Sequence, residues 1–142
     1  MKEISRPKVR SDGHKTGLSG EFFVAAELLK RGLQTSLTLG NAKAIDLFAI
    51  NERGTQFAIQ VKALRSRNHF PLDPIKIMKK AVYVFVVLNK VGVAPDFYIV
   101  PGEDFHSKPD KFGKWFHGYE KFPGVHPNDL PDYHDRWEIF QS

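Results

Sequence analysis

The stretch that decides the fold is Ala44–Ala63, AIDLFAINERGTQFAIQVKA. It reads as two apolar strands, Ile45–Ile50 and Gln56–Ala63, joined by the turn-forming residues Asn51-Glu52-Arg53-Gly54-Thr55, in which Gly54 can take a positive φ. Three polar side chains interrupt the apolar pattern: Asp46, Gln60 and Lys62. Folding the hairpin about Arg53 pairs Ile50 with Gln56, Phe48 with Ala58 and Asp46 with Gln60, so that Asp46, Gln60 and Lys62 emerge from one face of the sheet. A slip of one residue would separate them.

That pattern suits a hard cation. Opposed side chains on such a pair have Cβ atoms roughly 5 Å apart, and a Mg²⁺ ion with ligands at about 2.1 Å can bridge their oxygens. Lys62, two residues further on, stays within reach. The remaining apolar residues, Ile45, Leu47 and Ala49 on one side and Phe48 and Ile50 on the other, point to a covered, central hairpin in which a lysine needs a reason. The bland alternative is an edge strand with Gln60 and Lys62 facing water.

An acidic residue on one strand, followed on the next by a carboxylate or amide, one spacer and a lysine, resembles the signature of the PD-(D/E)XK nuclease superfamily. Here it stands as Asp46, within Ile45-Asp46-Leu47, then thirteen residues between Asp46 and Gln60, which opens Gln60-Val61-Lys62. Gln60 replaces the usual glutamate, removing a negative charge while keeping a carbonyl oxygen able to ligate a hard cation. The resemblance implies Asp46, Gln60, Lys62 and Glu21 as catalytic residues. It gives Asp46, the Gln60 side chain, the Val61 carbonyl and Glu21 as ligands of Mg²⁺ or Mn²⁺.

Composition sets the frame. A chain of 142 residues with 42% hydrophobic content fits a single domain with its own core. The absence of cysteine excludes disulfides and thiolate metal sites and points to the cytoplasm. No apolar run reaches the ~20 residues that span a bilayer. Residues 1–100 carry 16 Lys and Arg against 8 Asp and Glu, whereas 101–142 carry 5 against 8, so positive charge gathers around the candidate site. Such a bias favours nucleic acid over membrane as the partner.

Around the hairpin, residues 1–16 read as a basic N-terminal arm, 17–100 as a nuclease-like core and 101–142 as an extension packing on it. Leu18–Arg31 should be a helix with Ser19 as N-cap and Gly32 beyond its end. Phe22, Ala25, Ala26 and Leu29 form its apolar stripe, widened by Phe23 and Leu28. Glu21, in the first turn, either complements the helix dipole or, as the resemblance implies, completes a metal site. Gln34–Leu39 follows as a strand, and Gly40–Lys43 turns into the hairpin, with Lys43 at the mouth of the site.

Beyond Lys62, Arg65 and Arg67 can clamp phosphates flanking a scissile bond. Asp73-Pro74 opens a short helix reaching Lys80, with Lys76, Lys79 and Lys80 on one face, either touching a phosphate backbone or facing water. Val82–Leu88 is a buried strand, and Asp96–Val100 pairs beside it. The tail rings from Phe105 to Phe140 should pack against the sheet rather than stack on bases. Five of the six histidines (His69, His106, His117, His126, His134) lack zinc-ligand spacing.

The resemblance thus covers residues ~18–88 and implies a restriction-endonuclease-like αβββαβ core: an α/β fold with a central mixed sheet flanked by helices and an aromatic-rich C-terminal extension. Its implied activity is metal-dependent phosphodiester hydrolysis of DNA, rather than RNA, by a possible homodimer. Two alternatives stand beside it: a nuclease-fold module that binds nucleic acid without cutting it, and an interaction domain whose basic face meets an acidic protein.

Overall fold

The computed structural model describes residues 10–38, 44–116 and 121–142. Its centre is a five-stranded mixed sheet in the order β1-β2-β3-β5-β6. The strands are β1 (Gln34–Leu37), β2 (Leu47–Ile50), β3 (Gln56–Leu64), β5 (Ala81–Val87) and β6 (Asp96–Pro101). A pair of two-residue strands, β4 (Phe70–Pro71) and β7 (Gly124–Val125), makes a separate ribbon. This is the expected α/β architecture with a mixed sheet. The parallel step falls between β3 and β5, and every other pair in the main sheet is antiparallel.

Helix α1 (Arg10–Lys30) begins well before the expected Leu18, so the part of the supposed arm after residue 9 is helical; residues 1–9 lie outside the described set. It ends where Gly32 takes φ +93°, with Leu33 N–H bonded to Leu28 O and Gly32 N–H to Leu29 O, which satisfies carbonyls the helix would otherwise leave open. The buried stripe is Thr16, Gly20, Val24 and Leu28, with Ala25; of the expected stripe Ala25 and Leu28 are buried, whereas Phe22, Phe23, Ala26 and Leu29 are exposed. Phe22 and Leu29 are each 55% exposed. The reason lies at Gly20. A Cβ there would sit 2.6 Å from the Ala63 Cβ, so the missing side chain lets β3 press against this line of the helix, and the bulky rings turn outward.

Two cores lie on opposite faces of the sheet. One joins Val24, Ala25 and Leu28 of α1 to Leu47, Ala49, Ile59, Val82, Val84, Val86 and Ile99. The other joins Tyr83, Phe85, Val87, Tyr98 and Val100 to tail residues including Phe105, Phe112, Phe116, Leu130 and Tyr133. Those tail rings are buried, as expected of core packing, whereas Phe122 is 70% exposed. Tyr119 and His117 lie outside the described residues.

The segment before β5 contains one 3₁₀ turn, Pro74–Lys76, capped by the Asp73 side chain, in place of the expected helix to Lys80. Ile77 and Leu72 are instead drawn into the tail-side core. Lys76, Lys79 and Lys80 are exposed but share no helical face. The C-terminus ends in a 3₁₀ helix at Trp137–Gln141, and α2 (Gly102–Ser107) follows β6 directly. No helix of the described residues is long and apolar enough to cross a membrane.

Candidate functional site

The β2–β3 register is the expected one over its length: Ile50 opposes Gln56 and Phe48 opposes Ala58. Gly54 takes φ +86° in the connecting turn. Asp46 departs from that register. Its N–H bonds Ile59 O at 2.9 Å, one residue short of Gln60, and Ile45 packs with the tail-side core while Leu47 packs with the α1-side core. In an unbroken strand residues 45 and 47 would share a face. The chain therefore bulges at Asp46, just after Ala44 at φ +67°, and regular pairing stops there.

The bulge corrects the expectation that Asp46, Gln60 and Lys62 leave one face together. Asp46 Oδ2 accepts the backbone N–H of Val61 at 2.8 Å. Ladder N–H groups lie in the plane of a sheet, so the carboxylate occupies that plane, in the notch where β2 ends. Val61 and Ala63 pack with the α1-side core. Alternation turns Gln60 and Lys62 to the other face, beside Tyr83 and Phe85 of β5. The Val61 carbonyl, directed with its N–H toward β2, faces the same notch.

From the helix side comes Glu21. A cavity of about 490 Å³ is lined by His14, Leu18, Glu21, Phe22, Leu37 and Asp46, among others. Burial raises the Glu21 carboxyl above its ordinary range, the nearby Asp46 charge raises it further, and His14 opposes the rise. Two carboxylates that repel each other across a cavity gain from a shared cation. Among the described residues no three His, Asp or Glu side chains form a ready-made metal cluster. The donors at the notch and its cavity are instead two carboxylates and the Val61 carbonyl, with the Gln60 amide turned to the opposite face of β3. This all-oxygen set fits a hard divalent ion that keeps several waters.

Lys62 is half-buried, and among the described residues neither its ammonium nor the Gln60 amide has a hydrogen-bond or ion-pair partner. The outlying basic residues fare differently. Arg65 is exposed on the loop leaving β3, whereas Arg67 donates to the Tyr98 hydroxyl at 2.7 Å and to Asn128 Oδ1 at 2.6 Å, which fixes that loop to the tail. Lys79 and Lys80 are exposed before β5, and Lys43 lies outside the described residues. Sequence reading missed His14, because only the N-terminal extension of α1 brings it into the cavity.

No protein-family model matches the chain, and no curated protein matches it. Among solved structures it is similar to a bacterial homing endonuclease, I-Ssp6803I, with a TM-score of 0.57 and 17% identity over 89% of each chain. At that identity the likeness speaks for the fold, which is nuclease-like.

Proposed function

We propose that this chain is a divalent-cation-dependent endonuclease acting on DNA, with a PD-(D/E)XK-type site in which Gln60 stands for the usual acid. The observation that carries the proposal is the notch at the end of β2. There the carboxylates of Asp46 and Glu21 line one cavity, while Lys62, half-buried and unpaired among the described residues, lies two positions beyond Gln60 on the adjoining strand, on the opposite face of the sheet. The nuclease-like fold supports it, and so does the similarity to a protein described as a homing endonuclease.

Asp46, Glu21, the Val61 carbonyl and the Gln60 amide oxygen would hold Mg²⁺ or Mn²⁺, which when bound polarises a phosphate oxygen and lowers the pKa of a coordinated water. Val61 N–H fixes the Asp46 carboxylate in advance of any ligand. Lys62 orients the attacking water and offsets negative charge that grows on the phosphate in the transition state. Arg65 and the exposed Lys79 and Lys80 supply cations for flanking phosphates. Cutting both strands of a duplex takes two such centres, which a homodimer provides.

A cleavage panel of plasmid, linear and branched DNA and RNA, each with Mg²⁺, Mn²⁺ or EDTA, compares wild type with Lys62→Ala. Metal-dependent DNA cleavage lost in the variant is the expected result. Intact substrates in every lane at high protein concentration would refute hydrolysis. The missing acid at Gln60 favours one second reading, a module that holds nucleic acid without cutting it. Salt-sensitive binding indifferent to EDTA and to Asp46→Ala would establish that reading.

A further inference from the structure

Among the described residues, only half of the tail-side face of the sheet is covered. The tail rings pack over β5 and β6, whereas β1, β2 and the first half of β3 present two cross-strand rows to solvent. The outer row is Gln34, Ile50 and Gln56, and the inner row is Ser36, Phe48 and Ala58. Gln34, Ser36 and Gln56 are exposed, Phe48 is 48% exposed and Ile50 38%. Along β3 the same face continues through Gln60 to Lys62. Neither row contains a charge of either sign.

We propose that this bare face is the sequence-reading surface of the nuclease, lying along the major groove of the DNA next to the cut. The proposal rests on the endonuclease reading and deepens it. Side-chain chemistry selects the occupant. Phosphates call for cations, of which the rows have none, whereas base edges in the major groove call for amides, hydroxyls and apolar contact with thymine methyls. Gln34, Gln56 and Ser36 supply the first kinds, and Phe48, Ile50 and Ala58 the last. A dry contact with a second copy would bury the two glutamine amides against an apolar centre, which costs free energy unless each finds a partner.

Geometry sets the reach. Rows on one face are about 7 Å apart along a strand, so the outer row lies roughly 14 Å from Gln60, about four base-pair steps at ~3.4 Å each. The bases read by this face are therefore those within about four pairs of the scissile phosphate, on one side of it.

The test uses the full chain and a randomised duplex DNA library with Mn²⁺, sequencing both the retained and the cleaved fractions. Wild type is compared with Gln56→Ala, Gln34→Ala and Phe48→Ser, with thermal melts to confirm folding and solution mass to report oligomeric state. Wild type should select bases in a short window beside the cut, and each variant should lose about tenfold discrimination at one or two positions of that window. Identical preferences in wild type and all three variants would overturn the proposal, as would a wild type that selects no bases in either fraction. So would a Phe48→Ser protein that changes mass from dimer to monomer while keeping its preferences. If nothing is cleaved but the variants alter the retained sequences, the reading face stands and hydrolysis falls.

Discussion

The carboxylate of Asp46 accepts the backbone N–H of Val61 at 2.8 Å, across the point where β2 and β3 stop pairing. One side chain thus closes the end of the ladder and aims its charge into the notch. Asp46→Asn can keep this bond through its amide oxygen; Asp46→Ala leaves the N–H without its acceptor, at a cost of about 1 kcal/mol. Urea unfolding should therefore find Asp46→Asn near wild type and Asp46→Ala less stable, with both inactive in DNA cleavage. An active Asp46→Asn would remove Asp46 from the ligand set.

Lys62 should show the opposite balance. The residue is half-buried and has no partner among the described residues, so Lys62→Met should melt at or above the wild-type temperature while cleavage falls by roughly a hundredfold or more. Parallel loss of stability and activity would mark Lys62 as structural.

Glu21 gives the metal-free protein a pH dependence. Its carboxyl is raised by burial and by Asp46, so the folded state holds that proton to higher pH than the unfolded state does. Between the ordinary value of about 4.3 and the raised one, the native state binds more protons, and stability falls as pH rises. Urea midpoints measured across this range should fall for wild type relative to Glu21→Gln, with the two converging at the acid end. Saturating Mn²⁺ should reduce the difference by favouring the ionised carboxylate.

At Gln60 the prediction is a gain. Gln60→Glu adds a third carboxylate next to Val61, whose N–H holds Asp46, so the cation-free protein should lose stability at neutral pH. Half-maximal Mn²⁺ binding by calorimetry should move at least tenfold lower. Unchanged binding would place Gln60 outside the cation's reach.

Gly20 offers a purely steric check. Its ideal Cβ lies 2.6 Å from the Ala63 Cβ, and Gly20→Val should cost about 1–3 kcal/mol by overpacking. Adding Ala63→Gly should recover part of that loss. Full stability in Gly20→Val alone would mean that α1 is free to shift.

The β2–β3 pairing was legible in the sequence because two apolar runs flank a turn containing Gly54, and the strands β5 and β6 because Val82–Leu88 is apolar without interruption. Glu21 and Asp46 were legible as neighbours only through the motif. The bulge was not legible: it depends on Ala44 at positive φ and on one backbone bond to Ile59, neither of which has a residue-type signature. The buried side of α1 was misread because apolar residues surround the helix, and the deciding position is a glycine that no hydrophobic pattern weights. Asp73-Pro74 did cap a turn, but Leu72 and Ile77 were pulled into the tail-side core before a second turn could form.

The asparagine at the hairpin turn has a consequence for how the molecule comes into being. Asn51 Nδ2 donates to the carbonyls of Phe140 and Ser142, and Phe70 pairs with Val125. A chain emerging from the ribosome can form the β2–β3 hairpin early, yet its tip and the exit of β3 wait for partners translated 55 to 91 residues later. Nascent chains released early would therefore carry the β2–β3 hairpin as an unsupported ribbon, without the C-terminal carbonyls that hold its tip.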